Sequence, residues 1–344
     1  MAHPPQPDAQ PRPPWKAFIA LVVVCVAAAG GYVAWAASRD DGSGRSAGGS
    51  SLTAAPGPSG ATVVFQHVAR DGNYAHVAVA PAAAPRRRAF TSLTCERVYV
   101  AGGRGLCLVD EQGLTGPKYK ALIFDSHFKV IHERAVPGLL SRARVSPDGR
   151  YGATTGFVTG HSYAEPSEFS TLTTIIDMAR GKVIADLEDF TATLDGKRVR
   201  SADRNFWGVT FARDSDRFYA TMRTGGRTWL VEGSVRGRSL RALHANVECP
   251  SLSPDGTRVA YKKRVGGGTT IWRLYVLDLR TMKETRLADS RLVDDQAEWL
   301  DDDTVLYGRV DGRIWSQRAD GSGEPQLFLD DALSPAVIPA ASAT

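Results

Sequence analysis

The chain reads as an all-β ring of repeated units behind one apolar N-terminal segment, and three observations predict it. A turn sequence recurs at a near-fixed period along the chain. Helical periodicity is nearly absent after residue 40, whereas short alternating runs broken by Gly, Asp and Pro continue almost to the end. A single charge-free stretch, residues 17–37, stands apart from everything that follows it.

The recurring turn is clearest at Ser253-Pro254-Asp255-Gly256. Proline presets the φ of a type I turn, the aspartate carboxylate accepts nearby backbone N–H groups, and glycine takes the positive φ that follows. Thr257–Tyr261 then resumes as a strand with Val259 and Tyr261 on one face. Ser146-Pro147-Asp148-Gly149 is a near copy, and the stretches around Asp214 and Asp216 and around Asp301, Asp302 and Asp303 are altered ones. Pro147, Asp148, Gly149, Pro254, Asp255 and Gly256 are therefore expected to be architectural.

The strands that follow these turns begin near Val63, Leu106, Tyr151, Phe218, Val259 and Val305. Most are about 40–50 residues apart, the period of a four-stranded propeller blade. One longer gap holds two additions, around Phe157–Ser170 and around Asp189–Asp203, both assigned to the third unit. The expectation is a six-bladed β-propeller over residues 61–339. Ala61–Phe65 matches the second strand of a blade, so the innermost strand of the first unit is expected from Leu333–Ile338, closing the ring and removing a free sheet edge.

Residues 1–16 form a short Pro-rich tail expected in the cytoplasm. Residues 17–37 are long enough to cross a bilayer as one helix, with Tyr32 and Trp35 at the position of an interfacial aromatic belt. Arg12 and Lys16 precede the segment, and the expected orientation is N-terminus inside and propeller outside. Cleavage near Ala36, at a small-x-small site, is the alternative and yields a secreted form. Residues 38–60 are a Gly/Ser/Pro-rich linker and 340–344 a disordered tail.

The run Pro250-Ser-Leu-Ser-Pro-Asp-Gly-Thr-Arg-Val-Ala-Tyr261, with Leu274-Tyr-Val-Leu-Asp-Leu279 after it, resembles the WD40-like repeat of TolB-type propellers. The resemblance covers about residues 61–338 and is strongest in the fifth unit. It implies a six-bladed propeller outside the cytoplasmic membrane that binds other macromolecules. Where TolB carries an α/β domain ahead of its propeller, this chain has the apolar segment and the linker, so the resemblance carries over for the fold and not for a role in the Tol–Pal system. The Ala-, Gly- and Arg-rich composition fits a high-GC actinobacterium.

A net charge of +5 on 344 residues suits a mixed-charge exterior and gives no footprint for nucleic acid. Gly160-His161-Ser162-Tyr163-Ala164 has the outline of a nucleophile elbow but lacks the strand and helix that one needs, so an inserted loop is preferred. Gly102–Gly105 and Gly266–Gly268 read as hairpin turns, because a phosphate cradle needs a helix behind it. Arg86, Arg87 and Arg88 read as a solvated outer strand or loop, with contact to anionic lipid, a polymer or an acidic partner as the other possibility. Asp301–Asp303 are too few oxygens for a Ca²⁺ cage and read as a turn.

Of the four cysteines, Cys95 and Cys107 flank the first hairpin of the second unit and are candidates for a disulfide, one that needs a bulge or longer loop between them. Cys249 is expected as a buried thiol. The binding candidates are the residues ahead of the innermost strands, which crowd one mouth of a propeller's channel: Glu96, Arg142, Trp207, Glu248, Asp295 and Gln296. The seven histidines are scattered, and no acid, base or metal constellation can be assembled. The resulting reading is a non-catalytic, membrane-tethered, monomeric propeller with no cofactor or metal, binding a protein or envelope polymer. The rival is a propeller lyase, cyclase or hydrolase acting on an envelope glycan or peptide.

Overall fold

A computed structural model describes residues 60–113, 116–159, 169–266, 271–288, 293 and 296–340. The tail, the apolar segment 17–37 and the linker as far as residue 59 lie outside these, as do Gly160–Tyr163, Asp295 and residues 341–344. Among the described residues no helix is long and apolar enough to cross a membrane.

The described chain is a six-bladed β-propeller. Blade 1 contains β1 (Thr62–His67), β2 (His76–Pro81) and β3 (Ala89–Thr94). Blade 2 is β4 (Arg97–Ala101), β5 (Arg104–Gly113), β6 (Gly116–Asp125) and β7 (Val130–Ala135). Blade 3 is β8 (Leu139–Val145), β9 (Tyr151–Thr159), β10 (Ser170–Asp177) and β11 (Lys182–Asp186). Next come β12 (Thr191–Leu194), β13 (Lys197–Arg198), β14 (Asn205–Phe211), β15 (Arg217–Thr224), β16 (Arg227–Ser234) and β17 (Ser239–Ala245), which together make blade 4. Blade 5 is β18 (Glu248–Leu252), β19 (Arg258–Val265), β20 (Ile271–Asp278) and β21 (Glu284–Arg286). Blade 6 is β22 (Glu298–Trp299), β23 (Thr304–Arg309), β24 (Arg313–Arg318) and β25 (Gln326–Leu329), and β26 (Ala332–Ile338) follows.

β26 pairs antiparallel with β1, from Thr62 opposite Ile338 to His67 opposite Ala332, and supplies the innermost strand of blade 1 as the strand pattern predicts. The innermost strands touch in the cyclic order β26, β4, β8, β14, β18, β22 and back to β26. One apolar layer lies between each pair of neighbouring blades. Val63 and Phe65 face Leu306 and Ile314 of blade 6, while Val64 between them faces Val98 and Cys107 of blade 2. A sheet buried on both faces reads as a continuous apolar run, which is why these strands do not alternate cleanly in sequence.

The second addition is corrected in its assignment. Residues 187–198 extend blade 4, not blade 3: β12 pairs parallel with β17, and β13 closes the outer edge of a six-stranded sheet. Leu187, Phe190 and Ala192 are buried in the layer between blades 3 and 4, and that burial anchors the extension. The first addition, 160–168, lies outside the described residues.

The turns at Ser146 and Ser253 are the same structure. Gly149 N–H donates to the Ser146 carbonyl at 2.8 Å, and Gly256 N–H to that of Ser253 at 2.8 Å. Asp148 Oδ1 accepts from Arg150 N–H at 2.9 Å, and Asp255 Oδ1 from Thr257 N–H at 3.0 Å. The serine hydroxyls close both turns. Each donates to the aspartate and accepts from the first residue of the next strand, Tyr151 at 2.8 Å and Arg258 at 2.9 Å. In blade 4 Ser215 occupies the glycine position at φ 57, and Asp214 still accepts Arg217 N–H at 2.8 Å.

Candidate functional site

The innermost strands all begin at one face of the ring, called here the upper face, and the loops from second to third strands return to it. The mouth candidates fall near this end, but most are inside. Glu96 is exposed just ahead of β4. Arg142 lies within β8 and Trp207 within β14, Glu248 opens β18, Gln296 sits just ahead of β22, and all four are buried. Together they do not make an open polar ring.

Bulges in the innermost strands explain this. Register slips occur between Leu140 and Arg142, between Trp207 and Thr210, and between Glu248 and Ser251. Gly208 at φ 66 and Cys249 at φ 49 carry two of the bends, and a Cβ at Gly208 would stand only 2.8 Å from the Cys249 Cα. A bulge frees strand carbonyls from the ladder and turns them inward. Gln296 uses them: its Nε2 donates to Pro250 O at 2.5 Å and Val209 O at 3.2 Å, crossing from blade 6 to blades 5 and 4. Trp207 joins Phe157, Phe169 and Cys249 in an apolar cluster, its ring 5.4 Å from that of Phe169. The buried Glu248 carboxylate pairs with Arg264 through one oxygen.

Deeper in the channel is a cluster that the sequence reading did not single out. Arg144 of blade 3 forms a buried ion pair with Glu298 of blade 6, on the opposite side of the ring. The Arg144 guanidinium also donates to Ala297 O at 2.6 Å and Ser251 Oγ at 3.3 Å, and it stacks on the Tyr99 ring at 4.3 Å. Tyr99 hydroxyl donates to Glu298 Oε1 at 3.2 Å. Burial pushes the Glu298 carboxyl up, against the opposing pull of Arg144, and burial likewise raises the Tyr99 phenol. Removing one partner of such a pair strands a buried charge, at about 3–5 kcal/mol. The cluster ties four blades together near the middle of the ring.

A repeat-level signal for these residues existed. Arg144, Ser251 and Glu298 each stand two positions ahead of the residue that opens the turn, Ser146, Ser253 and Leu300. The side chains at that offset in blades 3, 5 and 6 meet in this cluster. The identity of the partner across the ring does not follow from the offset.

The remaining candidates are placed as follows. Cys95 and Cys107 form a disulfide with Cα atoms 5.4 Å apart. The hairpin between them turns tightly at Gly102-Gly103, with Val98 opposite Cys107. Cys95 leaves the ladder, its N–H donating to Ala75 O at 2.9 Å in blade 1, and so comes over Cys107 without a longer loop. Cys249 is a buried thiol. Arg86 and Arg87 are exposed, but Arg88, just ahead of the outer strand β3, is partly buried: it pairs with Asp330 at 3.0 Å and lies over the Phe65 ring. Asp301 accepts Asp303 N–H at 2.9 Å, Asp302 accepts Asp255 N–H at 2.8 Å, and Asp303 faces Arg258 at 3.5 Å. Among the described residues no group of three or more His, Cys, Asp or Glu could hold a metal ion.

Between blades 4 and 5, Glu284 gathers Tyr261 hydroxyl at 2.5 Å, His244 Nε2 at 2.9 Å and Lys263. Burial alone would raise this carboxyl. The hydrogen bonds from Lys263, Tyr261 and His244 outweigh it and bring the pKa down to about 2.

The upper face carries an uneven share of exposed large apolar side chains: Tyr74, Leu139, Val158, Ile271 and Val310. They sit at the ends of β8 and β9, the start of β20 and the loops joining β1 to β2 and β23 to β24. Val310 is 61% exposed and Tyr74 54%.

No protein-family model matches the chain, and no curated protein matches it by sequence. Solved structures do. TolB from Acinetobacter baumannii is similar at TM-score 0.56 and 16% identity, over 83% of this chain and 68% of that one. A chain of a nidogen/laminin complex is similar at TM-score 0.56 and 10% identity, over 82% of this chain and 99% of that one. Likeness this distant shows the fold alone.

Proposed function

We propose that the chain is a membrane-tethered, extracytoplasmic β-propeller that binds a protein or a cell-envelope polymer on its upper face and performs no chemistry itself. The apolar side chains on that face carry the reading. Exposed Tyr, Leu, Ile and Val side chains carried at one end by blades 1, 3, 5 and 6 suit contact with a partner laid across that face. The Arg144–Glu298 pair occupies the middle of the ring, which favours a partner met at the surface. Residues 17–37 supply the anchor and 38–60 the tether, with the N-terminus inside. The Cys95–Cys107 disulfide supports an oxidising compartment.

Crosslinking and pulldown from intact membranes test the docking reading, with Tyr74→Ser and Val310→Ser as the variants. These positions are exposed, so the substitutions leave the core intact, unlike changes at Trp207 or Glu248. Partner recovery is expected to fall in both variants. Recovery equal to that of the unaltered chain would sink the reading. Protease applied to intact cells is expected to remove the propeller, and full protection would refute the outside placement.

A further inference from the structure

We infer that the small cavity at the head of the channel is a binding site for a monatomic inorganic anion of the halide class. The cavity measures ≈ 10 Å³ and is lined by Arg97, Tyr99, Arg142, Arg144, Gln296 and Ser334, with the Val98–Tyr99 and Ser334-Pro335 backbones completing the wall. That is room for about one water-sized sphere. A monatomic anion comes nearer to that size than a tetrahedral oxyanion does.

The charge of the lining is one-sided. Guanidinium groups come from blade 2 at Arg97 and from blade 3 at Arg142 and Arg144, and among the described residues no carboxylate lines the cavity. Arg144 is committed to Glu298 and Ala297 O. Arg97 is not committed in this way. Its Nη1 donates to the carbonyl of its own neighbour Glu96 at 2.7 Å, and its Nε is buried without a hydrogen-bond partner. A guanidinium offers five donors and a permanent charge. A buried donor left unmet is costly, and a small anion meets donor and charge together. The other polar walls are already engaged: Ser334 Oγ donates to Val98 O at 3.1 Å and accepts Val98 N–H at 3.2 Å, and the Gln296 amide is held by Pro250 and Val209. Arg97 is thus the group the anion would be held by, with the Tyr99–Arg144 stack as its floor.

Crystals of the protein grown in sodium bromide test this by anomalous scattering. A bromide peak is expected in the cavity beside Arg97, and it is expected to vanish in Arg97→Gln. Water alone in the cavity of the unaltered protein would overturn the inference, whether or not the variant folds. In solution, thermal unfolding is followed in chloride and in phosphate at matched ionic strength. Chloride is expected to raise the midpoint of the unaltered protein by roughly 2–4 °C more than that of Arg97→Gln, with no such difference in phosphate. Equal shifts in both proteins, or the same gap in phosphate, would count against a halide site.

Discussion

Glu284 shows how one residue's surroundings become a pH dependence. Its carboxyl titrates near 2 in the folded chain against 4.5 for an ordinary glutamate. A depressed carboxylate contributes stability that is fully present above the unfolded value and lost as pH falls through the folded one. The window is therefore from about pH 4.5 down to about 2. Urea unfolding of Glu284→Gln and the unaltered chain should show a clear gap at pH 7 that narrows steadily below pH 4. A gap that stays constant with pH would mean that the Lys263, Tyr261 and His244 contacts do not hold the ionised form. Arg144 and Glu298 are a different case, because both are buried and each is the counter-charge that the other requires.

At the scale of elements, the Ser-Pro-Asp-Gly turn is a module whose parts were legible one by one. Proline, aspartate and glycine act as their chemistry dictates, whereas the serine hydroxyl that links turn to strand was not anticipated. Context separates the two copies. Gly256 at φ 75 has open space where a Cβ would stand. Gly149 at φ 69 lies on the Gly102-Gly103 turn of blade 2, and a Cβ there would collide with the Gly102 carbonyl. Gly256→Ala is expected to cost about 1 kcal/mol, from the left-handed backbone alone. Gly149→Ala should cost at least about 2 kcal/mol, because it also forces blades 2 and 3 apart. Denaturant midpoints of the two variants check this, and equal losses would contradict the stacking of the two turns.

At the scale of the molecule, the ring is closed by a strand from the far end of the chain. β26 covers the inner edge of β1, and Ala332 and Ala336 are fully buried in doing so. A chain ending at Asp331 would bare that edge and the apolar layers on both sides of blade 1. Such a chain should lose its cooperative unfolding transition and aggregate, as followed by circular dichroism and light scattering. A truncated chain with an unchanged, cooperative melt would mean that the ring does not depend on its closure. The added strands of blade 4 lie on the outside, where a sheet can grow without disturbing the ring.

The sequence by itself determined the blade count, the strand that closes the ring and the turns, because each depends on local chemistry repeated at a period. Turn residues, strand patterning and spacing lie within a few positions of one another. What only the tertiary structure decided were contacts between distant residues. Arg144 and Glu298 are 154 positions apart, and the parallel pairing of β12 with β17 spans the β13–β16 strands of the same sheet. The mouth candidates show the same limit. Position in the repeat brought Arg142, Trp207, Glu248 and Gln296 to one end of the ring. Whether they faced solvent depended on bulges at Gly208 and Cys249 that pull neighbouring strands together, and a bulge is set by the packing of strands against each other.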